Sequence, residues 1–239
     1  MVTQHLFGEK SLVMEPGTED LIAVGWTKIK LKYDGYEGWC QQSHLAEIDE
    51  ERYIKVDKDL TAGWVNEVDY NGHRMYVPMG SSLSAFQNGE AFWRKNSVNF
   101  KGEVWNPEEV KIVPKIIRQV AYKFLNTSYL WGGKSVYGID CSGFAQMVYK
   151  FLNIPLARDA WQQAQAGTTI SFLQESRCGD LAFFDNEAGN IIHVGILLND
   201  HEIVHSSGKV RIDKIDKQGI LNLETKQRTH TLRIIKRYF

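Results

Sequence analysis

The first half of the chain alternates. Ile29, Leu31 and Tyr33 stand at every second position ahead of Asp34-Gly35, and Asn71-Gly72 separates the apolar stretches 65–68 and 75–77. Period-two apolar residues bounded by such pairs predict strands joined by tight hairpins, because Asn-Gly adopts the positive φ that a two-residue turn needs. Two stretches, 1–49 and 50–113, carry these signals, and each is read as a small β-barrel. Glycine precedes tryptophan at Gly25-Trp26, Gly38-Trp39 and Gly63-Trp64, and these rings are expected to close the small cores.

After Pro114 the period changes. Ile116, Ile117, Val120, Ala121, Phe124 and Leu125 recur at helical spacing, with proline where a first turn tolerates it. Phe144, Ala145, Val148, Phe151 and Leu152 draw a second apolar stripe running back to Asp140-Cys141, which places Cys141 at a helix start. The segments 180–184, 193–198 and 202–206 then read as strands. Helices followed by a run of strands predict an α+β domain with an antiparallel sheet over 114–239.

A chain of 239 residues with 43% apolar content can bury the cores of more than one domain. Its 28 basic and 29 acidic residues leave no net field to hold a nucleic-acid backbone or an anionic membrane surface, so recognition must be local. No apolar run approaches the ~18 residues of a membrane span, and residues 1–10 lack the basic start and apolar stretch of a secretory signal. Residence in the cytoplasm or the cell envelope is left open. Cys40, Cys141 and Cys178 cannot all be paired within one chain, which leaves room for a reactive thiol.

Cys141 is placed for that role. A helix N-terminus favours negative charge, and a thiol attacks as thiolate. Asp140 opposes this if ionised, so a cationic partner is required. Imidazole supplies one, holding the proton in a thiolate–imidazolium pair while a second polar group orients the ring. His193 and His205 are the candidates. An odd loop such as Asn199-Asp200-His201 makes paired positions sum to an even number, which puts both histidines on one sheet face; an even loop would separate them. Zinc on Cys141, His193 and His205 is the competing reading, but the compact ligand pairs of many zinc sites are missing, and no motif calls for a metal or an organic cofactor.

The segment Tyr129-Leu-Trp-Gly-Gly-Lys-Ser-Val-Tyr-Gly-Ile-Asp-Cys-Ser-Gly-Phe144 resembles the active-site signature of the NlpC-type cysteine peptidases. Cys178-Gly-Asp-Leu-Ala-Phe-Phe184, His193-Val-Gly-Ile196 and Ile203-Val-His205-Ser-Ser-Gly208 extend the match in the same order. The resemblance implies a papain-like catalytic domain at 114–239, preceded by bacterial SH3-like barrels at 1–49 and 50–113. The similar stretches there are Met1-Val-Thr-Gln-His-Leu-Phe-Gly-Glu9 and Asp34-Gly-Tyr-Glu-Gly-Trp39, and the first barrel is expected to begin part-way through a strand. The implied activity is hydrolysis of the bond between γ-D-glutamate and a diamino acid in peptidoglycan stem peptides of bacteria. Cys141 would then be the nucleophile, His193 the base, His205 its orienting residue and Tyr129 an oxyanion donor. Asp140 and Ser142 match residues that bind a free N-terminal L-Ala amine, with Tyr36 a further contributor from the first barrel. A bound ammonium would also offset the charge of Asp140. Ala160 departs from the hydroxyl residue expected at its position, and the acidic residue expected ahead of Met1 is absent from this sequence. Two other readings stay open: a silent cell-wall peptide binder, and a thiol acyltransferase on the same fold.

Overall fold

The structure, a computed structural model, describes residues 1–14, 25–56, 58–93 and 95–239. Contacts gather the chain into two compact units, Val2–Glu108 and Glu109–Phe239. The first expected barrel includes residues 15–24, which lie outside the described residues.

The first unit is built from short antiparallel strands. β1 (Ser11–Val13), β2 (Trp26–Leu31) and β3 (Glu37–Gln41) form one sheet, and a short helix α1 (Glu50–Ile54) follows. β4 (Leu60–Thr61) pairs with β9 (Val104–Trp105), while β5 (Val65–Tyr70), β6 (His73–Pro78), β7 (Glu90–Trp93) and β8 (Asn96–Phe100) form a sheet in the order β6-β5-β8-β7. Asn71 and Gly72 take φ of 52° and 79°, the two-residue turn that joins β5 to β6. Tyr33 falls in the β2–β3 turn instead of extending the strand. The tryptophans do not close the cores as expected: Trp26, Trp39 and Trp64 are 37%, 39% and 50% exposed. Val68, Val77, Leu83, Ala91, Val98 and Phe100 form the core of the four-stranded sheet, with Phe7, Phe86 and Trp93 packed on it.

The second unit opens with α2 (Pro114–Tyr122), where proline occupies the first turn and Ile117, Val120 and Ala121 are buried. A small hairpin, β10 (Lys134–Ser135) with β11 (Gly138–Ile139), leads into α3 (Cys141–Phe151). All eleven residues of α3 are buried, so it is enclosed on every side and not only along its apolar stripe. Inside it, the side-chain amide nitrogen of Gln146 donates to the Leu156 carbonyl at 3.0 Å. After α4 (Ala160–Gln163) and β12 (Thr168–Ile170) come six strands: β13 (Leu181–Asp185), β14 (Ile191–Leu197), β15 (Glu202–Ser207), β16 (Lys209–Asp216), β17 (Gly219–Leu221) and β18 (Arg228–Arg237).

These six strands close on themselves. Neighbours pair antiparallel from β13 to β17, and β18 pairs with both β13 and β17. Its ten residues are long enough to hold β17 with the first half of one edge and β12 with the second. The result is a six-stranded closed barrel in a mixed α/β unit that is mostly sheet, filled by Ala182, Phe184, Leu197, Ile203, Ile215, Ile220 and Ile235. Closure leaves no free edge between β17 and β18. Among the described residues no helix is long and apolar enough to cross a membrane.

One glycine makes the closest approach at this seam. Gly219 has φ +131°, and a Cβ there would lie 1.8 Å from the His230 carbonyl oxygen across the β17–β18 seam. Gly219→Ala is therefore expected to lower stability by about 2–4 kcal/mol, combining strain at positive φ with a clash against backbone. Urea unfolding followed by circular dichroism checks this. A loss under about 0.5 kcal/mol, the size of a neutral surface change, would contradict it.

Candidate active site

Asp140 caps α3. With φ −89° and ψ 178° it stands outside the helix, and its Oδ1 accepts from the Gly143 amide at 2.7 Å. Oδ2 accepts from the Gly132 amide at 2.8 Å, so the same carboxylate ties the preceding loop to the helix start. Gly143 makes the approach possible, because a Cβ there would sit 2.2 Å from the Gly133 carbonyl oxygen. Cys141 is thereby fixed as the first helical residue, 7% exposed.

The charge of Asp140 already has a partner. Buried Arg158 donates from Nη1 to Oδ1 at 3.0 Å and from Nη2 to Oδ2 at 2.6 Å, and Nη1 also donates to Ser142 Oγ at 2.9 Å. A two-pronged guanidinium suits a buried carboxylate in this way. Arg158 offsets part of the Asp140 charge within the protein, so a bound ammonium would not be its sole counter-charge. Amine binding by Asp140 and Ser142 then stands on the resemblance alone.

Opposite the thiol, β14 and β15 pair with Gly195 against His205 and Leu197 against Ile203, every pair summing to an even number. Leu198 donates to Glu202 across a three-residue loop, the odd length that keeps His193 and His205 on one face. His193 Nε2 lies 2.9 Å from His205 Nδ1, and His205 Nε2 lies 3.1 Å from Asp213 Oδ2. A Cβ on Gly195 would sit 2.9 Å from the His205 Cβ, so the glycine makes room for that ring. Asp213 also accepts from Arg211 Nε at 2.8 Å, from Arg211 Nη2 at 3.2 Å and from the Leu223 amide at 2.8 Å. Burial pushes its carboxyl up, but the donors from His205, Leu223 and Arg211 outweigh this and hold it below the usual carboxylate range.

This chain assigns the protons. An ionised carboxylate only accepts, so His205 must carry its proton on Nε2. Its Nδ1 is then an acceptor and takes the hydrogen bond that His193 donates from Nε2. The remaining nitrogen, His193 Nδ1, is left bare and able to take a proton. The Val194 amide, next to His193 in the chain, hydrogen-bonds the Cys141 sulfur and brings the thiol to this strand. Both nitrogens of His205 are engaged, which leaves none for the zinc arrangement.

Burial sets the resting charge state. It pushes the Cys141 thiol up to about 11, helped by the charge of Asp140 and opposed by the Val194 and Ser142 amides and by Arg158. Burial, with His205 and His230, holds His193 well below the ordinary imidazole value. Both shifts favour the neutral thiol and neutral imidazole over the thiolate–imidazolium pair. Tyr129 is held by its backbone, which donates to Gly208 at 2.9 Å and bridges to Ile139 of β11. Burial and the charges of Cys141 and Asp140 push its phenol up to about 12, so it remains a protonated donor. Tyr36 belongs to the first unit, in the β2–β3 turn, where its amide donates to Asp34 Oδ1 at 3.0 Å.

Sequence reasoning missed four neighbours of this site. Asp213 and Arg211 sit in the alternating segment Lys-Val-Arg-Ile-Asp-Lys-Ile-Asp, where charged residues read as a solvated face. Arg158 carries no local signal for its ion pair with Asp140, 18 positions away. His230 lies on β18, and its ring stacks on that of His193 with centroids 4.1 Å apart.

The NlpC/P60 family model matches residues 126–229. A gamma-D-glutamyl-L-lysine dipeptidyl-peptidase of Bacillus cereus is 26% identical over 234 residues, covering 85% of this chain, which spans 66% of that relative's length. A probable endopeptidase of Haemophilus influenzae is 32% identical over 128 residues, 53% of this chain and 74% of the relative. The crystal structure of an NlpC/P60 family protein from Bacillus cereus superposes with a TM-score of 0.79 over 99% of this chain and 82% of its own, at 20% identity, a likeness of fold.

Alkylation reads the resting charge state without any substrate. The rate of iodoacetamide addition to Cys141, resolved from Cys40 and Cys178 by peptide mass spectrometry, is expected to keep rising with pH towards about 11. A plateau reached below pH 7 would show a standing thiolate–imidazolium pair and contradict this reading.

Proposed function

Because this chain belongs to the NlpC/P60 family, whose members include peptidoglycan hydrolases, we propose that it is a cysteine endopeptidase cutting the γ-D-glutamyl-diamino-acid bond of stem peptides with a free N-terminal L-Ala. The observation that carries the reading is the buried line His193–His205–Asp213, starting on the strand whose Val194 amide reaches the sulfur of Cys141 at a helix N-terminus. The relative from Bacillus cereus, named for a γ-D-glutamyl-L-lysine bond, supports the substrate class. In this reading the second unit is a papain-like domain and the sheets of the first are the two SH3-like modules, 1–49 and 50–113.

The steps follow from the proton order. His193 Nδ1 takes the Cys141 proton as sulfur attacks the γ-carbonyl carbon. Tyr129, kept protonated by burial, and backbone amides of the first turn of α3 hold the oxyanion. His193 then gives the proton to the departing amine of the diamino acid, the C–N bond breaks, and a thioester to Cys141 remains. Water loses a proton to the same Nδ1 and opens the thioester, releasing L-Ala-D-Glu and restoring the thiol. No metal or organic cofactor takes part. Asp140, Ser142 and Tyr36 are assigned to the amine end of the substrate, where Asp140 would share its charge between Arg158 and the incoming ammonium.

Mass spectrometry of L-Ala-γ-D-Glu-meso-diaminopimelate and its L-lysine counterpart tests the reading. Wild type should release L-Ala-D-Glu, Cys141→Ala should release none, and His193→Ala should lose roughly two to four orders of magnitude in kcat. Acetylating the L-Ala amine should raise KM or abolish turnover. Product from Cys141→Ala would refute the nucleophile, and equal rates with the acetylated peptide would refute the amine assignment.

A further inference from the structure

The two nitrogens of His193 do not by themselves fix its ring. Nε2 is held by His205, but a ring anchored at one atom can still swing about that bond. What closes the remaining freedom is a slot of other rings. His205 stands edge-on at 5.1 Å and 85°, Phe184 lies at 5.7 Å and 47°, and His230 lies nearly parallel at 4.1 Å and 24°. Among the rings of the described residues, His230 alone lies nearly parallel to it. We propose that His230 is a positioning residue for the reaction, its imidazole acting as a planar wall that holds the His193 ring with Nδ1 aimed at the Cys141 thiol.

Three further observations support the assignment. His230 Nδ1 lies 2.8 Å from Thr229 Oγ1, which holds the orientation of the wall itself. The backbone of His230 is set by barrel closure, since it pairs with Ile220 and approaches Gly219 so closely that no side chain fits there. Burial and the neighbouring His205 push His230 down to about 4, against a smaller upward pull from Asp213. At neutral pH the wall is therefore uncharged, and an imidazolium forming on His193 meets a neutral aromatic face in place of a second positive charge. The ring acts through His193 and needs no contact with substrate.

This inference rests on the catalytic reading of His193, and its test has one readout that needs no substrate. His230→Ala, His230→Leu and His230→Phe are compared with wild type by kcat and KM on the stem peptide, by thermal unfolding, and by imidazole 15N NMR. Phenylalanine keeps a planar face, whereas leucine fills space without one and guards against a hole beside Phe184. The expected result is a fall in kcat of roughly tenfold to a hundredfold for Ala and Leu, as for a misplaced catalytic group. KM should be unchanged, and Phe should restore kcat to within about threefold of wild type by the same positioning logic. In the spectra, wild type and His230→Phe should show one His193 tautomer, and His230→Leu an exchanging mixture. Wild-type kcat in the Leu variant, or failure of Phe to restore it, overturns the proposal. If wild type releases no dipeptide, the peptidase reading fails, while the His193 spectra of the Leu and Phe variants still decide whether His230 holds the ring.

Discussion

The ionised carboxylate of Asp213 is the constraint on which the site depends. It is fully buried, and a buried charge is tolerated only when its oxygens are satisfied. Arg211, the Leu223 amide and His205 satisfy them. Because the carboxylate can only accept, it dictates the tautomer of His205 and through it that of His193, so one atom of one ring is left bare. A group two strands away from the base thus decides which nitrogen can move a proton.

The same logic of buried, paired charge governs the other side. Asp140 and Arg158 neutralise each other beneath the helix start, where the carboxylate also joins the loop holding Gly132 to the amide of Gly143. The pair lets a buried carboxylate cap α3 and tempers, without cancelling, its effect on the sulfur. The cost of burial appears instead in the raised thiol and the lowered imidazole, which keep the site neutral until a proton moves between them. Barrel closure at Gly219 carries His230 to the face of His193, so strand β18 finishes what α3 and the strands β14 to β16 begin.

What the sequence made legible was local. Asn71-Gly72 announced its turn, Pro114 its helix, and Asp140-Cys141 the start of α3, because each depends on neighbours within a few residues. The parity of the Asn199-Asp200-His201 loop was enough to put His193 and His205 on one face. Asp213, Arg211, Arg158 and His230 were not legible, since charged and polar residues in alternating strands or loops look the same whether water or a distant strand receives them. The roles of Asp213 and Arg158 arise from pairings 8 and 18 residues apart, Arg211 matters through its neighbour Asp213, and His230 owes its place to a seam between β17 and β18 that no local pattern encodes. The tryptophans of the first unit failed in the opposite direction. A large ring beside a glycine suggested a core, yet Val68, Val98 and Phe100 fill it and the rings stay exposed.

The central claim is the order of protons along Asp213, His205 and His193. The 15N spectrum of the histidine imidazoles at neutral pH, assigned by substitution of each ring in turn, measures it directly. Both His193 and His205 are expected to carry their proton on Nε2 and leave Nδ1 bare. A proton on Nδ1 of His193 would contradict it, because the nitrogen meant to accept from Cys141 would already be occupied.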